Sequence, residues 1–215
     1  RRHRLQWCKD HKDWTIQQWS KVLFTDESRY SSTSDSGRQL IWREVGTRYH
    51  SVNITERDRY GGVGVLVWGG IMLNGRTELH IFDRGSVTAN RYCNEVLLPY
   101  VRLFRGAIGS EFIFMDDNAR PHRTRAVDEL LESEDITRMD WPAYSPDLNP
   151  IEHVWDALGR RLAAHPHPLH NVHQLKSALR EEWTKLPQTL IDNLVLSVAR
   201  RCNATIAVRG HHIPY

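Results

Sequence analysis

Three acidic side chains stand where the sequence pattern predicts the edges of core elements. Asp26 closes the apolar run 21–26, Asp117 follows the apolar run 111–115, and Glu152 opens an amphipathic segment. A carboxylate beside a buried strand is unfavourable unless it finds a partner or a metal ion. Two divalent ions about 4 Å apart can hold the attacking and leaving oxygens of a phosphodiester. Since Mg²⁺ prefers oxygen and takes only one or two protein carboxylates per ion, three acids could support such cleavage.

Each of these acids also has a purely structural interpretation. Residues 149–152 (Asn-Pro-Ile-Glu) form a good helix-capping sequence, with Asn at the N-cap and Glu at the third helical position. From those four residues alone, capping is favoured over catalysis for Glu152. Asp26 and the neighbouring pair Asp116 and Asp117 are compatible with turns. Three acids at the edges of core elements shift the balance towards one shared site, although position alone does not choose between Asp116 and Asp117.

The elements that must position the acids begin with a set of strands. Short apolar or alternating runs predict strands at 21–26, 63–73, 77–82, 111–115 and 136–141, and a further short strand near 29–33 after a tight turn. Asn74-Gly75 is a good hairpin turn. An antiparallel meander followed by β/α alternation predicts an α/β protein with a mixed, five-stranded sheet flanked by helices.

Helical periodicity accounts for most of the remaining sequence. It predicts a helix and a turn within 1–19, and helices starting at Thr88 (kinked by Pro99) and at Pro121, followed by three at 151–164, 171–186 and 188–203. In the helix at 151–164, Glu152 lies about 100° around the axis from Ile151, at the border of the apolar face. It could therefore lean over the edge of the core towards the other acids.

Residues 34–62 break this pattern and predict a long excursion from the core. The segment contains Trp42 and a set of arginines at 38, 43, 48 and 57. Loops of this length are usually functional or disordered.

The composition excludes several function classes. The chain has 215 residues, of which 40% are hydrophobic and 26% charged, with a net charge of +3, as expected for one globular domain with a mild basic bias. No apolar run approaches the roughly 18 residues of a membrane span and no secretory leader opens the chain, so we expect neither membrane insertion nor secretion. Three widely spaced cysteines without a CxxC pair argue against disulfides and a structural zinc site, and favour a reducing compartment.

The sequence resembles the Tc1-like branch of the Tc1/mariner transposases along essentially the whole chain. Residues 24–28 (Phe-Thr-Asp-Glu-Ser) resemble the family's first-acid segment, and residues 145–155 (Ser-Pro-Asp-Leu-Asn-Pro-Ile-Glu-His-Val-Trp) resemble the third. Residues 114–122 (Phe-Met-Asp-Asp-Asn-Ala-Arg-Pro-His) resemble the second, in which the acid directly before Asn is the catalytic one. Residues 118–151, 34 in all, separate the second and third acids, which is the Tc1-type spacing. Residues 67–70 (Val-Trp-Gly-Gly) match the family's central strand.

This resemblance implies an RNase H-like fold and a DDE triad made of Asp26, Asp117 and Glu152, with Asp117 chosen over Asp116. It implies that the triad holds Mg²⁺, for which Mn²⁺ can substitute. The implied reaction is cleavage of double-stranded DNA at transposon ends and strand transfer into target DNA at TA dinucleotides, that is, DNA integration by cut-and-paste transposition in the nucleus.

The resemblance also suggests how the DNA is held. Residues 38–62 resemble the family's clamp loop, which reaches a second subunit, so a homodimer on paired DNA ends is implied. Candidate phosphate contacts are Arg43, Arg48 and Arg57 in this loop, and Arg120, His122 and Arg123 after the second acid. Such contacts position DNA rather than specify its sequence. Trp141 and Tyr144 are expected to pack in the protein rather than to stack on bases.

Two other functions remain open at the level of sequence. The family's N-terminal helix-turn-helix modules, which read terminal inverted repeats, are not expected within residues 1–215, and this would suit a catalytically silent, domesticated DNA-binding protein derived from a transposase. The intact triad argues against that reading. An RNase H-type nuclease acting on RNA–DNA hybrids would share the fold, but it would not need the motifs around Asp117 and Glu152.

Overall fold

A mixed sheet runs through the computed structural model, which describes residues 1–31, 64–83, 85–165, 169 and 171–214. The predicted clamp loop at 38–62, with Arg43, Arg48 and Arg57, lies outside the described residues. Within the described ranges the strands are β1 (Val22–Ser31), β2 (Gly64–Met72), β3 (Gly75–Arg76), β4 (His80–Ile81), β5 (Ile113–Met115) and β6 (Thr137–Arg138).

Nine α-helices are found in the same ranges. They are α1 (Arg2–His11), α2 (Ile16–Trp19), α3 (Ala89–Tyr92), α4 (Arg102–Ile108), α5 (Arg125–Ser133), α6 (Ile151–Ala163), α7 (Val172–Thr184), α8 (Gln188–Leu196) and α9 (Val198–Ala207). A π-helical segment, Cys93–Val101, joins α3 to α4, and single 3₁₀ turns occupy Arg120–His122 and Pro146–Leu148. None of these helices is both long and apolar enough to cross a membrane.

The sheet has the order β3-β2-β1-β5-β6, with β4 also paired to β2. Strand β1 runs antiparallel to β2 and parallel to β5, and β5 runs parallel to β6. The predicted mixed α/β sheet is therefore confirmed, but it has six strands in the described ranges rather than five. The additional strand is β3, which precedes the partner of β2 predicted at 77–82, whereas β4 lies within that predicted range. Thr77 lies between β3 and β4 and is bonded twice to Gly70: its hydroxyl accepts from the N–H of Gly70, and its own N–H donates to the Gly70 carbonyl, each at 2.9 Å.

The tight turn expected after Asp26 is wrong, because β1 continues through it. Strand β2 pairs with β1 from Phe24 to Ser31, and Asp26 faces Gly69 in this ladder. The strand predicted near 29–33 is the second half of β1. Asp26 consequently lies in the middle of a strand, and it is the parallel neighbour β5 that ends at this level, after Met115.

Successive side chains of the strands pack alternately into two separate hydrophobic cores, one on each face of the sheet. Val22 and Phe24 belong to the core that includes Trp155 and helices α6 to α9, whereas Leu23 and Phe114 belong to the core formed with the π-helical segment and α5. Such alternation is the geometry of a strand buried on both faces. Any acid that follows these strands is therefore sent to one core or the other according to its place in the alternation.

Two helix predictions differ from the structure in detail. The cap at Thr88 is confirmed, since its side chain accepts from the N–H of Arg91, and the effect of Pro99 is a widened π-helical segment rather than a simple kink. Proline has no N–H to donate within a helix, and a wide turn relieves its clash with the preceding turn. The helix predicted at 188–203 is divided at Ser197, whose hydroxyl donates to the carbonyl of Leu194 at 2.6 Å and so competes with regular helical bonding.

Both ends of the described chain meet at the loop 141–150, which precedes α6. Arg4 of α1 donates to both carboxylate oxygens of Asp147 at 2.7 Å each, and both side chains are almost fully buried. The N–H of Ile213 donates to the same carboxylate at 3.0 Å, and Arg201 of α9 donates to the carbonyl of Asp147 at 3.0 Å. The loop that leads to Glu152 is thus fixed by contacts from both ends of the described residues.

Candidate active site

One cavity of about 440 Å³ brings the three predicted acids together. Asp26 comes from the middle of β1, Asp117 from the segment after β5, and Glu152 from the first turn of α6. The rest of the lining is Asn118, Ala119, residues 141–146 and Asn149.

The register of two parallel strands explains why Asp26 and Asp117 are neighbours. Phe24 of β1 is paired with Met115 of β5, and each aspartate follows two residues later. Because side chains alternate along an extended chain, both aspartates point to the same face of the sheet, at the same level. The same alternation sends Asp116 to the opposite face.

Asp116 accordingly lies in the second core rather than in the cavity. It is 1% exposed, and its carboxylate oxygens lie 3.5 Å from a guanidinium nitrogen of Arg123 and 3.6 Å from Nε of Arg138. Burial raises the pKa of Asp116, the positive charge of Arg138 lowers it, and the net result is a pKa of about 6. The geometry therefore agrees with the choice of Asp117 over Asp116 in the proposed triad.

Asp26 is held by an indole from α6. Trp155 donates from Nε1 to one carboxylate oxygen of Asp26 at 3.1 Å. Burial raises the pKa of Asp26 well above its usual value, and the negative charges of Glu152 and Glu27 raise it further. Asp26 is thus a carboxyl group whose ionised form lacks compensating positive charge.

Asp117 is held differently, by a backbone amide and an imidazole. The N–H of Ala119 donates to Oδ1 of Asp117 at 2.8 Å, and Nδ1 of His122 lies 2.9 Å from the same oxygen. Burial alone would raise the pKa of Asp117, but these two contacts outweigh it, so the pKa lies below its usual value. Asp117 is therefore ionised in the same cavity in which Asp26 resists ionisation.

His122 is a buried cation between two carboxylates. Its ring is stacked on Tyr92 with centroids 4.0 Å apart, and Nε2 lies 3.3 Å from a carboxylate oxygen of Glu27. The contacts to Asp117 and Glu27 have ion-pair distances without the alignment of a hydrogen bond. Burial lowers the pKa of His122, but the two carboxylates outweigh this and raise it to about 10. At 3% exposure the ring presents no surface to a DNA phosphate, so the contact predicted for His122 is replaced by a role inside the protein.

Glu152 is the second residue of α6, because the helix begins at Ile151 rather than at Pro150. The predicted capping box is not formed, and within the described ranges the Glu152 carboxylate accepts no hydrogen bond. Asn149 instead joins the helix start to the sheet: its Oδ1 accepts from the N–H of Ile151 at 3.3 Å, and its Nδ2 donates to the carbonyl of Thr25 at 3.2 Å. Burial raises the pKa of Glu152, and the charge of Asp117 adds to this. The Glu152 carboxylate therefore does not cap the helix, and it lines the same cavity as Asp26 and Asp117.

The donor set fits hard divalent cations. All three groups are carboxylates, and burial and mutual repulsion leave two of them short of positive charge, which a divalent ion would supply. Among the described residues, no three His, Cys, Asp or Glu side chains stand close enough to enclose a single ion. The kind of donor fits Mg²⁺, which usually takes only one or two protein carboxylates and keeps several waters.

The remaining candidates of the sequence analysis have mixed outcomes. Arg120 is exposed beside the cavity, whereas Arg123 is paired with Asp116. Trp141 is buried with its ring against Trp7 at 4.8 Å, so its packing role is confirmed. The packing role expected for Tyr144 is wrong, since this side chain is 89% exposed.

Two residues that hold the site were not identified from the sequence. In the sequence, Trp155 stands out only as the last residue of the motif 145–155. The available signal is that a buried indole N–H generally needs an acceptor. The capping sequence predicts only a local role for Asn149, because its bond to Thr25 joins residues that are 124 positions apart in the chain.

Comparison with known proteins relates this geometry to a family. The sequence profile described as DDE superfamily endonuclease matches residues 21–176, a range that includes all three acids. The chain belongs to the DDE superfamily of endonucleases. The Tcb1 transposase of Caenorhabditis briggsae is 31% identical over 220 residues, covering 100% of this chain and 78% of that relative. The Tc1 transposase of Caenorhabditis elegans is 30% identical over 222 residues, covering 99% of this chain and 77% of that relative. The predicted membership of the Tc1-like transposases is confirmed.

Solved structures of Mos1 transposase show the same fold. The mariner Mos1 paired-end complex with Mg matches with a TM-score of 0.78 and 20% identity, covering 99% of this chain. The Mos1 strand transfer complex matches with a TM-score of 0.76 and 19% identity, covering all of this chain. This chain spans 63% and 62% of the Mos1 chains in those two structures. The predicted RNase H-like fold is confirmed by this likeness.

Proposed function

We propose that this chain is the catalytic unit that cuts DNA at transposon ends and joins the freed 3′ end to target DNA. The observation that carries the proposal is the single cavity shared by Asp26, Asp117 and Glu152. Two of these acids have pKa values raised by burial and by the charge of their neighbours, which is the electrostatic condition that a bound cation relieves. The names of the relatives, Tcb1 and Tc1 transposases, support transposition as the reaction.

The cofactor in this proposal is Mg²⁺, with Mn²⁺ as a substitute, held by the three carboxylates. Bound divalent ions would supply positive charge to the attacking and leaving oxygens of a phosphodiester. Oxygen donors of this kind suit Mg²⁺. One of the similar solved structures is a Mos1 paired-end complex with Mg, which supports the same choice of ion.

The protein's own residues position the acids before the DNA arrives. Trp155 fixes the orientation of the Asp26 carboxylate through its indole N–H, and Ala119 and His122 fix Oδ1 of Asp117. Glu152 has no such restraint among the described residues and can adjust its carboxylate. Arg120 is exposed and follows Ala119, which lines the cavity, and this exposure supports a contact with a phosphate of the bound strand.

The partners in this proposal are double-stranded DNA and a second copy of the chain. The similar solved structures are a paired-end complex and a strand transfer complex of Mos1, which supports DNA ends and target DNA as substrates. The homodimer would form through residues 38–62, which lie outside the described residues, and would work in the nucleus at TA target sites.

The test is cleavage of a pre-nicked duplex that carries a Tc1-type transposon end, in Mg²⁺ or Mn²⁺. Asp117→Asn should abolish cleavage because it removes one of the three carboxylates that would hold the divalent ions. Asp116→Asn is the matched control: the same substitution one residue earlier, on the other face of the sheet, should leave cleavage in place. Cleavage by Asp117→Asn at the wild-type rate would contradict the triad. Tight DNA binding by a wild-type chain that cuts nothing would favour a silent, domesticated DNA-binding protein.

A further inference from the structure

Tyr144 is an aromatic side chain that the fold holds out into solvent at the rim of the candidate active site. At 89% exposure it is the most exposed large apolar side chain in the described part of the chain. It lines the same cavity as Asp26, Asp117 and Glu152. Within the described ranges no other ring stacks on it, in contrast to Trp141 three residues earlier.

The backbone at Tyr144 is strained and held in place by the surrounding structure. Its φ is 54°, in the left-handed region that a bulky residue rarely adopts. The carbonyl of Tyr144 accepts a hydrogen bond from Arg4 at 3.3 Å, the buried Pro142 precedes it, and the hydroxyl of the buried Ser145 donates to the carbonyl of Ala143 at 3.1 Å. Strain of this kind persists where neighbouring contacts fix it, and it is concentrated at functional sites.

The chemistry of the ring indicates which part of DNA it would contact. A tyrosine with exposed ring faces offers an apolar, polarisable surface, which suits a nucleobase and not a hydrated phosphate. Every base has a π-face, so stacking of this kind tolerates different sequences. We propose that Tyr144 stacks on a nucleobase next to the phosphate that is cut, and so positions the strand against the three acids. This proposal rests on the proposed function, because it takes the DNA to lie in this cavity.

The experiment compares Tyr144→Phe with Tyr144→Leu in DNA binding. Both variants keep an unbranched Cβ and a bulky side chain at the same φ, so they share the backbone strain, but only phenylalanine keeps the ring. Binding to a pre-nicked duplex is measured by fluorescence anisotropy in Ca²⁺ at low salt. The same duplex is then prepared with an abasic nucleotide at successive positions on both sides of the nick, and thermal unfolding of each variant checks its fold.

Tyr144→Phe should bind the pre-nicked duplex without an abasic nucleotide within about twofold of the wild-type affinity. Tyr144→Leu should bind the same duplex roughly five- to hundredfold more weakly. An abasic nucleotide at one position should weaken wild type to the level of Tyr144→Leu and leave that variant unchanged. A merely structural role of Tyr144 would not produce such a position-specific coupling.

Two results would overturn the stacking proposal. One is equal sensitivity of wild type and Tyr144→Leu to every abasic position, and the other is a loss of affinity in Tyr144→Phe that matches Tyr144→Leu, which would assign the contact to the phenol hydroxyl. Cleavage of the pre-nicked duplex without an abasic nucleotide, by the wild-type chain in Mg²⁺, reports separately on the proposed function. A wild-type chain that binds none of the duplexes overturns both proposals.

Discussion

At the scale of single residues, the three acids of the cavity are restrained in different ways. Asp26 accepts from an indole, Asp117 from a backbone amide beside a buried imidazolium, and Glu152 has neither restraint among the described residues. The family resemblance predicts these three acids and prefers Asp117 to Asp116, and all three line the same cavity. The sequence motifs did not identify Trp155 as the partner of Asp26, because that contact depends on the face of α6 that packs over the sheet.

Trp155→Phe should slow Mg²⁺-dependent cleavage about tenfold or more. The substitution keeps most of the buried ring but removes the N–H that holds Asp26, and a hydrogen bond to a charged group contributes about 1.5–3 kcal/mol. Trp183→Phe is the matched control, since Trp183 is also buried, stacks on Trp155 at 5.3 Å, and donates its N–H to the carbonyl of Thr77 instead. Single-turnover cleavage should be slower for Trp155→Phe than for Trp183→Phe. Equal rates for the two variants would contradict the role given to the Trp155 N–H.

At the scale of elements, the site depends on the ladder between β1 and β2 and on the register between β1 and β5. The sequence predicts both strands but also a turn after Asp26, because Asp and Ser are common in turns. Pairing with β2 overrides that local preference, as tertiary context often does for strands. The register that aligns Asp26 with Asp117 is a property of the folded sheet, so sequence spacing alone could not supply it.

Gly69 is the element-scale test of this arrangement. It lies opposite Asp26 in the ladder, and a Cβ there would stand 2.9 Å from the Trp155 ring and 3.0 Å from the Trp183 ring. Gly69→Ala should therefore displace Trp155, lower the free energy of unfolding by about 1–3 kcal/mol, and slow cleavage.

The matched glycine control is Gly106 in α4, where a Cβ would meet no atom within 4 Å. Gly106→Ala should raise the free energy of unfolding by up to about 1 kcal/mol, because alanine is favoured over glycine inside a helix. Urea denaturation measures both effects. A Gly69→Ala variant as stable and as active as wild type would show that the indole does not need the space that glycine leaves.

At the scale of the whole molecule, both ends of the described chain support the loop before α6. The mixed sheet and most helices followed from the periodicity of apolar residues, which is a local signal. The pairing of Arg4 with Asp147, 143 residues apart, has no such signal, because nothing near either residue indicates its partner. This ion pair ties α1 to the loop that carries Asn149 and precedes Glu152.

Asp147→Asn should lower the free energy of unfolding at pH 7 by about 3–5 kcal/mol, because it breaks a buried pair and leaves Arg4 without its counter-charge. Burial raises the pKa of Asp147, but Arg4 and the N–H of Ile213 outweigh this, so the folded-state pKa lies below its usual value. A depressed pKa gives stabilisation that is complete above the unfolded-state value of about 3.9 and is lost as the pH falls through the folded-state value.

The deficit of Asp147→Asn should therefore shrink when urea denaturation is repeated at pH values below about 3.9. Asp140→Asn is the control for this measurement, because Asp140 pairs with His3 at 3.2 Å on the surface, and an exposed pair contributes at most about 1 kcal/mol. A deficit for Asp147→Asn that is no larger than that of Asp140→Asn, or that does not change with pH, would contradict the structural role given to Asp147.

The most direct test of the central claim is the position of Mn²⁺ in crystals of this chain, located by anomalous scattering. We expect two peaks about 4 Å apart, bound by the carboxylate oxygens of Asp26, Asp117 and Glu152, and their loss or displacement in Asp117→Asn. Mn²⁺ bound elsewhere while these three acids stay bare, or peaks unchanged in Asp117→Asn, would contradict the account.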